Sequence, residues 1–109
     1  MLRVLVCSLM SGALSLWGQS FSGKIVGLVT DSSTGLVSNA AVTVVNEGTG
    51  AQRRLLTDTD GIYVAAELPV GYYTVHYAAP GLGSAERQRV KVDVGGETRV
   101  DVTLSVQTL

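Results

Sequence analysis

The chain has 109 residues, enough for one domain and no more. At 46% hydrophobic and 16% charged residues it is too apolar and too weakly charged to stay disordered. Eight basic against nine acidic residues leave a net charge of −1, which provides no electrostatic footprint for nucleic acid or an anionic membrane surface. Thirteen glycines and two prolines point to strands and tight turns.

Residues 1–20 read as a secretory signal peptide, with an uncleaved N-terminal anchor as the alternative. Arg3 is the one positive charge near the start, and residues 4–17 carry none. That apolar run is shorter than the ~20 residues a spanning helix needs. Gly18-Gln19-Ser20 supplies small residues at alternate positions, which suits cleavage after Ser20, with Gly18 as the other choice. Cys7 follows Val6 and comes too early for a lipoprotein signal. The expectation is a domain at 21–109, exported to the periplasm, the outer membrane or the exterior, with no transmembrane segment of its own. Losing Arg3 and Cys7 leaves seven basic against nine acidic residues, a net charge of −2, and no cysteine for a disulfide or a thiol nucleophile.

From Gly23 onward short runs alternate with period two. Ile25, Gly27 and Val29 interleave with Val26, Leu28 and Thr30, a first strand apolar on both faces and so expected to be covered on both. Asp31-Ser32-Ser33-Thr34-Gly35 breaks it. Ala40, Val42 and Val44 form the inward series of a second strand, ended by Asn46-Glu47-Gly48-Thr49-Gly50. A third spans about 51–57 and turns at Asp58-Thr59-Asp60-Gly61. A short fourth, 62–66, meets a corner at Leu68-Pro69-Val70-Gly71. Tyr73, Val75 and Tyr77 then face the core while Tyr72, Thr74 and His76 face away. After Ala79-Pro80-Gly81-Leu82-Gly83 come Val90, Val92 and Val94, then Gly95-Gly96, then Val100, Val102, Leu104 and Val106. A diglycine between two alternating runs predicts a hairpin. No stretch after residue 20 has the apolar spacing of a helix. Seven short strands with regular turns predict an all-β, antiparallel β-sandwich.

The order of these motifs resembles the carboxypeptidase regulatory-like domain. Gly27-x-Val29-x-Asp31, Thr34-Gly35 and Ala40-x-Val42-x-Val44 are similar to its opening. Thr57-Asp58-x-x-Gly61-x-Tyr63 and Leu68-Pro69-x-Gly71-x-Tyr73-x-Val75 match its middle; Ala79-x-Gly81 and the closing Val100-Asp101-Val102-Thr103-Leu104 complete it. Ser38-Asn39 stands where a Pro-Gly pair is common, and Leu82 where an aromatic follows the Gly. The resemblance implies a seven-stranded, transthyretin (prealbumin)-like sandwich that accompanies other domains without doing chemistry. It is most similar to the domain that follows the signal peptide of bacterial TonB-dependent outer-membrane receptors.

Few residues invite a chemical role. Asp58 and Asp60 open like a calcium loop, but the twelfth position is Pro69 and the nearest acid Glu67, so a turn capped by Asp side chains, with Gly61 at positive φ, is the better account. His76 is the one imidazole, alternates with Val75 and Tyr77, and has no nucleophile placed beside it by spacing. Tyr63, Tyr73 and Tyr77 fall on the inward series; Tyr72, with Thr74 and His76, is the place a sugar ring would stack. Arg87, Arg89 and Lys91 place three cations on one face of one strand, either a solvated edge or a partner surface that adds a strand.

These residues predict no catalytic group, no cofactor and no metal site. The expected role is a monomeric, non-catalytic accessory module, either a stand-alone secreted domain or the N-terminal domain of a truncated TonB-dependent receptor, that meets a cell-envelope protein or polysaccharide. A carbohydrate-binding module of starch-binding-like type is the competing class.

Overall fold

The computed structural model describes residues 21–105. The expected signal peptide, its cleavage site, Cys7 and Val106 lie outside the described residues. Eight strands follow in chain order: β1 (Ser22–Asp31), β2 (Ala41–Asn46), β3 (Gln52–Leu56), β4 (Ile62–Pro69), β5 (Gly71–Ala78), β6 (Ser84–Val92), β7 (Glu97–Arg99) and β8 (Val102–Leu104). They form two sheets packed face to face. One holds β4, β1 and β7, with β8 also on β1; the other has the order β3-β2-β5-β6. Among the described residues no helix is long and apolar enough to cross a membrane.

The inner faces follow the period-two series. Ile25 and Val29 from β1, Tyr63, Ala65 and Leu68 from β4, Val42 and Val44 from β2, and Tyr73, Val75 and Tyr77 from β5 are all at most 3% exposed. Val90, Val92, Val102 and Leu104 close the core. Thr57 is the one buried polar side chain among the described residues. Its hydroxyl donates to the Val37 carbonyl at 2.6 Å and accepts from the Ala40 amide at 2.9 Å, pinning the entry to β2. Asn39, in the turn before β2, takes φ +59°, a left-handed conformation asparagine tolerates better than most residues.

Four expectations need correction. The sandwich has eight strands, because the closing run is interrupted. The Val100 amide donates to Val26 O at 2.8 Å, and the Leu28 amide is then taken by Asp101 Oδ1 at 2.9 Å. A side-chain oxygen there replaces a ladder carbonyl and divides the run into β7 and β8. The fold is also not wholly antiparallel, since β7 and β8 both run parallel to β1. Gly95-Gly96 is therefore no hairpin: it carries the chain from one sheet to the other, with the Gly95 amide on Ser22 O and Gly96 O accepting from the Lys24 amide. Val94 lies on this crossing, 60% exposed instead of buried. Lastly, β1 is covered on one face alone. Val26 and Leu28 are half-buried on the outer face, paired with the exposed Val64 and Ile62.

Gly27 shows why β1 can carry two parallel strands on its flank. A Cβ there would lie 1.9 Å from the Val100 carbonyl oxygen and 2.8 Å from the Tyr63 hydroxyl. Only a residue without a side chain lets the closing segment pass this close.

Candidate functional site

The site begins with a bulge in β6. Val90 pairs with Tyr73 and Arg87 with Val75, so Gln88 and Arg89 together oppose Thr74. The extra residue is accommodated by Arg89 at φ +57°, a conformation that costs a residue with a Cβ roughly 1–2 kcal/mol. The bulge also reverses the alternation. Arg87, opposite Val75, belongs to the inward series, whereas Lys91, opposite Tyr72, belongs to the outer face. The three cations do not share one face, contrary to the expectation from spacing, which assumes an unbroken period of two.

Released from the ladder, the Arg89 amide donates to Glu47 Oε2 at 2.8 Å, and Arg89 Nη1 reaches Glu47 Oε1 at 3.3 Å. The Thr74 hydroxyl donates to the same Oε2 at 2.9 Å. The Arg89 backbone amide is the main reason the Glu47 carboxyl sits below its ordinary pKa. The Arg89 guanidinium lies 3.8 Å from the centroid of the Tyr72 ring, a cation–π contact. Around this group opens a cleft of about 540 Å³ lined by Asn46, Thr49, Val70, Tyr72, Glu47 and Arg89.

Further along the outer face, His76 Nδ1 faces Glu86 Oε2 at 3.2 Å, with both side chains about half exposed. Thr43 stands opposite His76 on β2, and Arg54 opposite Thr43 on β3. The fold thus gathers Tyr72, Thr74, His76, Arg89 and Lys91 on the outer face of the second sheet and leaves Arg87 off it. Asp58 and Asp60 are in the turn that enters β4 at Ile62, the opposite end of that strand from the cleft residue Pro69. Asp58 Oδ1 accepts from the amides of Asp60 at 2.8 Å and Ile62 at 2.9 Å, and Gly61 has φ +75°. That carboxylate caps a turn.

Glu47 was not among the residues the sequence singled out. It stands in a turn string, 42 positions from Arg89, and no local pattern links the two. Only the bulge, which turns the Arg89 amide toward it, makes the pair.

The outer face offers a half-exposed aromatic ring, a guanidinium and a carboxylate held in fixed geometry. Such a surface can orient a ligand by stacking and hydrogen bonds. The family model for the carboxypeptidase regulatory-like domain matches residues 24–105. The chain belongs to the carboxypeptidase regulatory-like domain family. That family's domain is a non-catalytic regulatory fold.

No curated protein matches the chain. Among solved structures, the Bacillus anthracis TIE protein superposes with a TM-score of 0.65 at 18% identity, over 79% of this chain and 17% of that one. Catechol 1,2-dioxygenase from Acinetobacter radioresistens gives 0.65 at 16% identity, over 86% of this chain and 55% of that one. The major pilin subunit BcpA of Bacillus cereus gives 0.60 at 16%, over 76% and 28%. This carboxypeptidase regulatory-like domain therefore spans between a sixth and about half the length of these neighbours. At such identities the likeness is one of fold: a transthyretin-like sandwich recurring inside larger proteins.

Proposed function

We propose that this carboxypeptidase regulatory-like domain is a non-catalytic accessory module of the cell envelope, exported behind residues 1–20, and that it holds a partner protein at the outer-face cleft. The observation that carries the reading is the Glu47–Arg89–Tyr72 arrangement. A strained φ at an exposed arginine persists because Glu47 takes both its amide and its guanidinium, and strain maintained at a surface marks a site shaped for contact. The family supports an accessory role, and the fold's recurrence within longer chains supports a place beside other domains, such as the front of a TonB-dependent receptor. No nucleic acid or cofactor enters this reading.

The β6 edge is a weaker docking surface. A bulge and the flanking cations are devices that blunt a sheet edge. At its ends the Lys91 carbonyl already accepts from the Thr98 hydroxyl at 2.6 Å, and the Gly83 amide donates to Ser105 O at 2.7 Å.

One observation favours the carbohydrate-binding alternative. The cleft falls within the roughly 300–1,000 Å³ of ordinary ligand sites, and Tyr72, 39% exposed, edges it. Photo-crosslinking from position 70, beside Tyr72, in envelope fractions decides between the readings, with a glycan array run in parallel. The leading reading expects a discrete protein adduct that Tyr72→Ala abolishes, and a mature N-terminus between Gln19 and Phe21. Saturable glycan binding abolished by the same variant would replace it with the carbohydrate reading. Met1 retained on cytoplasmic protein would end both as envelope functions.

A further inference from the structure

A second cleft lies between the sheets and adjoins the Tyr72 cleft at the residue 46–50 turn. It holds about 170 Å³ and is walled by Val44, Leu68, Pro69 and Tyr73, with Ala51 and Arg53 toward its mouth. Val44, Leu68 and Tyr73 are at most 3% exposed. The polar atoms beside it are already satisfied: the Tyr73 hydroxyl donates to Pro69 O at 2.6 Å and accepts from Asn46 Nδ2 at 3.3 Å. Its deep walls are thus apolar, and Thr49, Gln52 and Arg53 supply the polar groups around it. Its volume compares with the ~150 Å³ cavity that admits a benzene ring.

The mouth is bordered by β3, an edge strand bonded on one side to β2. Arg53 and Arg54 on β3 have no carboxylate within ion-pair distance among the described residues, unlike Lys24, Arg89, Lys91 and Arg99. The Arg53 guanidinium rests instead on the carbonyl oxygens of Ala66 and Glu67. These neutral acceptors leave its charge unmatched and hold it at the cleft.

We propose that this cleft seats one branched or phenyl side chain of an extended acidic peptide running along β3, whose alternating carboxylates meet Arg53 beside the cleft and Arg54 on the opposite face of the strand. The volume and the apolar walls specify the apolar group, the two unmatched cations specify the acid, and the unpaired side of β3 favours an extended backbone. The site adjoins the Tyr72 cleft, sharing Asn46, Thr49 and Pro69 in its walls, but Val44, Leu68, Tyr73 and Arg53 belong to it alone.

The test is an NMR titration of the full chain with the peptide acetyl-Asp-Glu-Leu-Glu-Asp-amide, following the amides of Val44, Ala51 and Leu68. Saturable shifts at these positions are expected, weakened at least tenfold when the probe's Leu is replaced by Ala and abolished when its acids become Lys. Arg53→Gln with Arg54→Gln should weaken binding at least tenfold. Val44→Phe, which fills the cleft, should abolish it; Ala51→Leu, at the exposed mouth, gives the same readout should that core variant fail to fold. Tyr72→Ala should bind normally, which separates this proposal from the preceding one. No saturable shift with the Leu peptide overturns it. So does a response to toluene alone, which reduces the cleft to dry space, or concentration-dependent shifts without peptide, which assign it to a second copy of the chain.

Discussion

The Tyr77 hydroxyl donates to the Tyr63 hydroxyl across 2.6 Å, because Tyr63 gives its own proton to the Val100 carbonyl, also at 2.6 Å. The rings meet edge to face with centroids 5.6 Å apart. This chain of two bonds joins β5 to β4 and both to the segment between β7 and β8. Removing its middle member is expected to cost most. Tyr63→Phe strands the Tyr77 donor and the Val100 acceptor, about 1–3 kcal/mol; Tyr77→Phe removes a single bond, about 0.5–1.5 kcal/mol. Urea denaturation of the two variants measures the difference.

Burial raises the pKa of both phenols, that of Tyr63 far above the ordinary range. A group whose folded pKa is raised stabilises fully below its unfolded value and loses that contribution as pH climbs through the folded one. Stability should therefore hold up to about pH 10, the unfolded tyrosine value, and fall above it. The Tyr63→Phe, Tyr77→Phe double variant should lose this alkaline decline in a series of melting curves.

Val75 is fully buried, and its neighbour Thr74 points the other way. Val75→Asp should cost several kcal/mol and leave the domain largely unfolded. Thr74→Ala should cost about 1 kcal/mol, one hydrogen bond to Glu47. Thr74→Asp is not the benign control that its outward direction suggests, because the new carboxylate would face Glu47. Melting temperatures of the three should rank Ala, then Thr74→Asp, then Val75→Asp.

Arg89→Gly and Arg89→Ala both remove the contacts to Glu47 and Tyr72, but only glycine relieves the positive φ. The glycine variant should be the more stable by about 1 kcal/mol. Glu47 titrates below its ordinary value, so its contribution is present above the unfolded carboxylate pKa and lost as pH falls through the folded one. Glu47→Gln should flatten the acid limb of the stability profile while leaving the alkaline limb intact.

Gly27→Ala should cost about 3 kcal/mol or more, since the new methyl meets the Val100 carbonyl rather than a yielding side chain. Gly48→Ala, whose Cβ meets nothing closer than Asn46 Oδ1 at 3.4 Å, should stay within about 0.5 kcal/mol of the parent. Circular dichroism melts of the pair provide the comparison.

Alternation made the inward series legible: Tyr73, Val75 and Tyr77 lie where their period-two spacing puts them, as does the Asp58 turn. What stayed hidden depends on single residues that break the period. The bulge at Arg89 moves Arg87 to the opposite face without leaving a trace in the pattern, because every residue from Glu86 to Arg89 is polar. Asp101 interrupts the last strand by offering a side chain where a carbonyl was due, and an acid in an outward position looks like any solvated residue. The diglycine has the local chemistry of a hairpin, which cannot distinguish a return within one sheet from a step to the other.

The parallel seating of β7 and β8 on β1 has a kinetic consequence. Residues 24–31 find their flank only in residues 97–104, some seventy positions later. The loop-closure entropy for that pairing must be met before it stabilises anything. A nascent chain halted before residue 97 would hold β1 with one side open and its Gly27 surface bare. The domain should therefore acquire protection from proteolysis abruptly, when residues 97–104 become available, and not strand by strand as the chain lengthens.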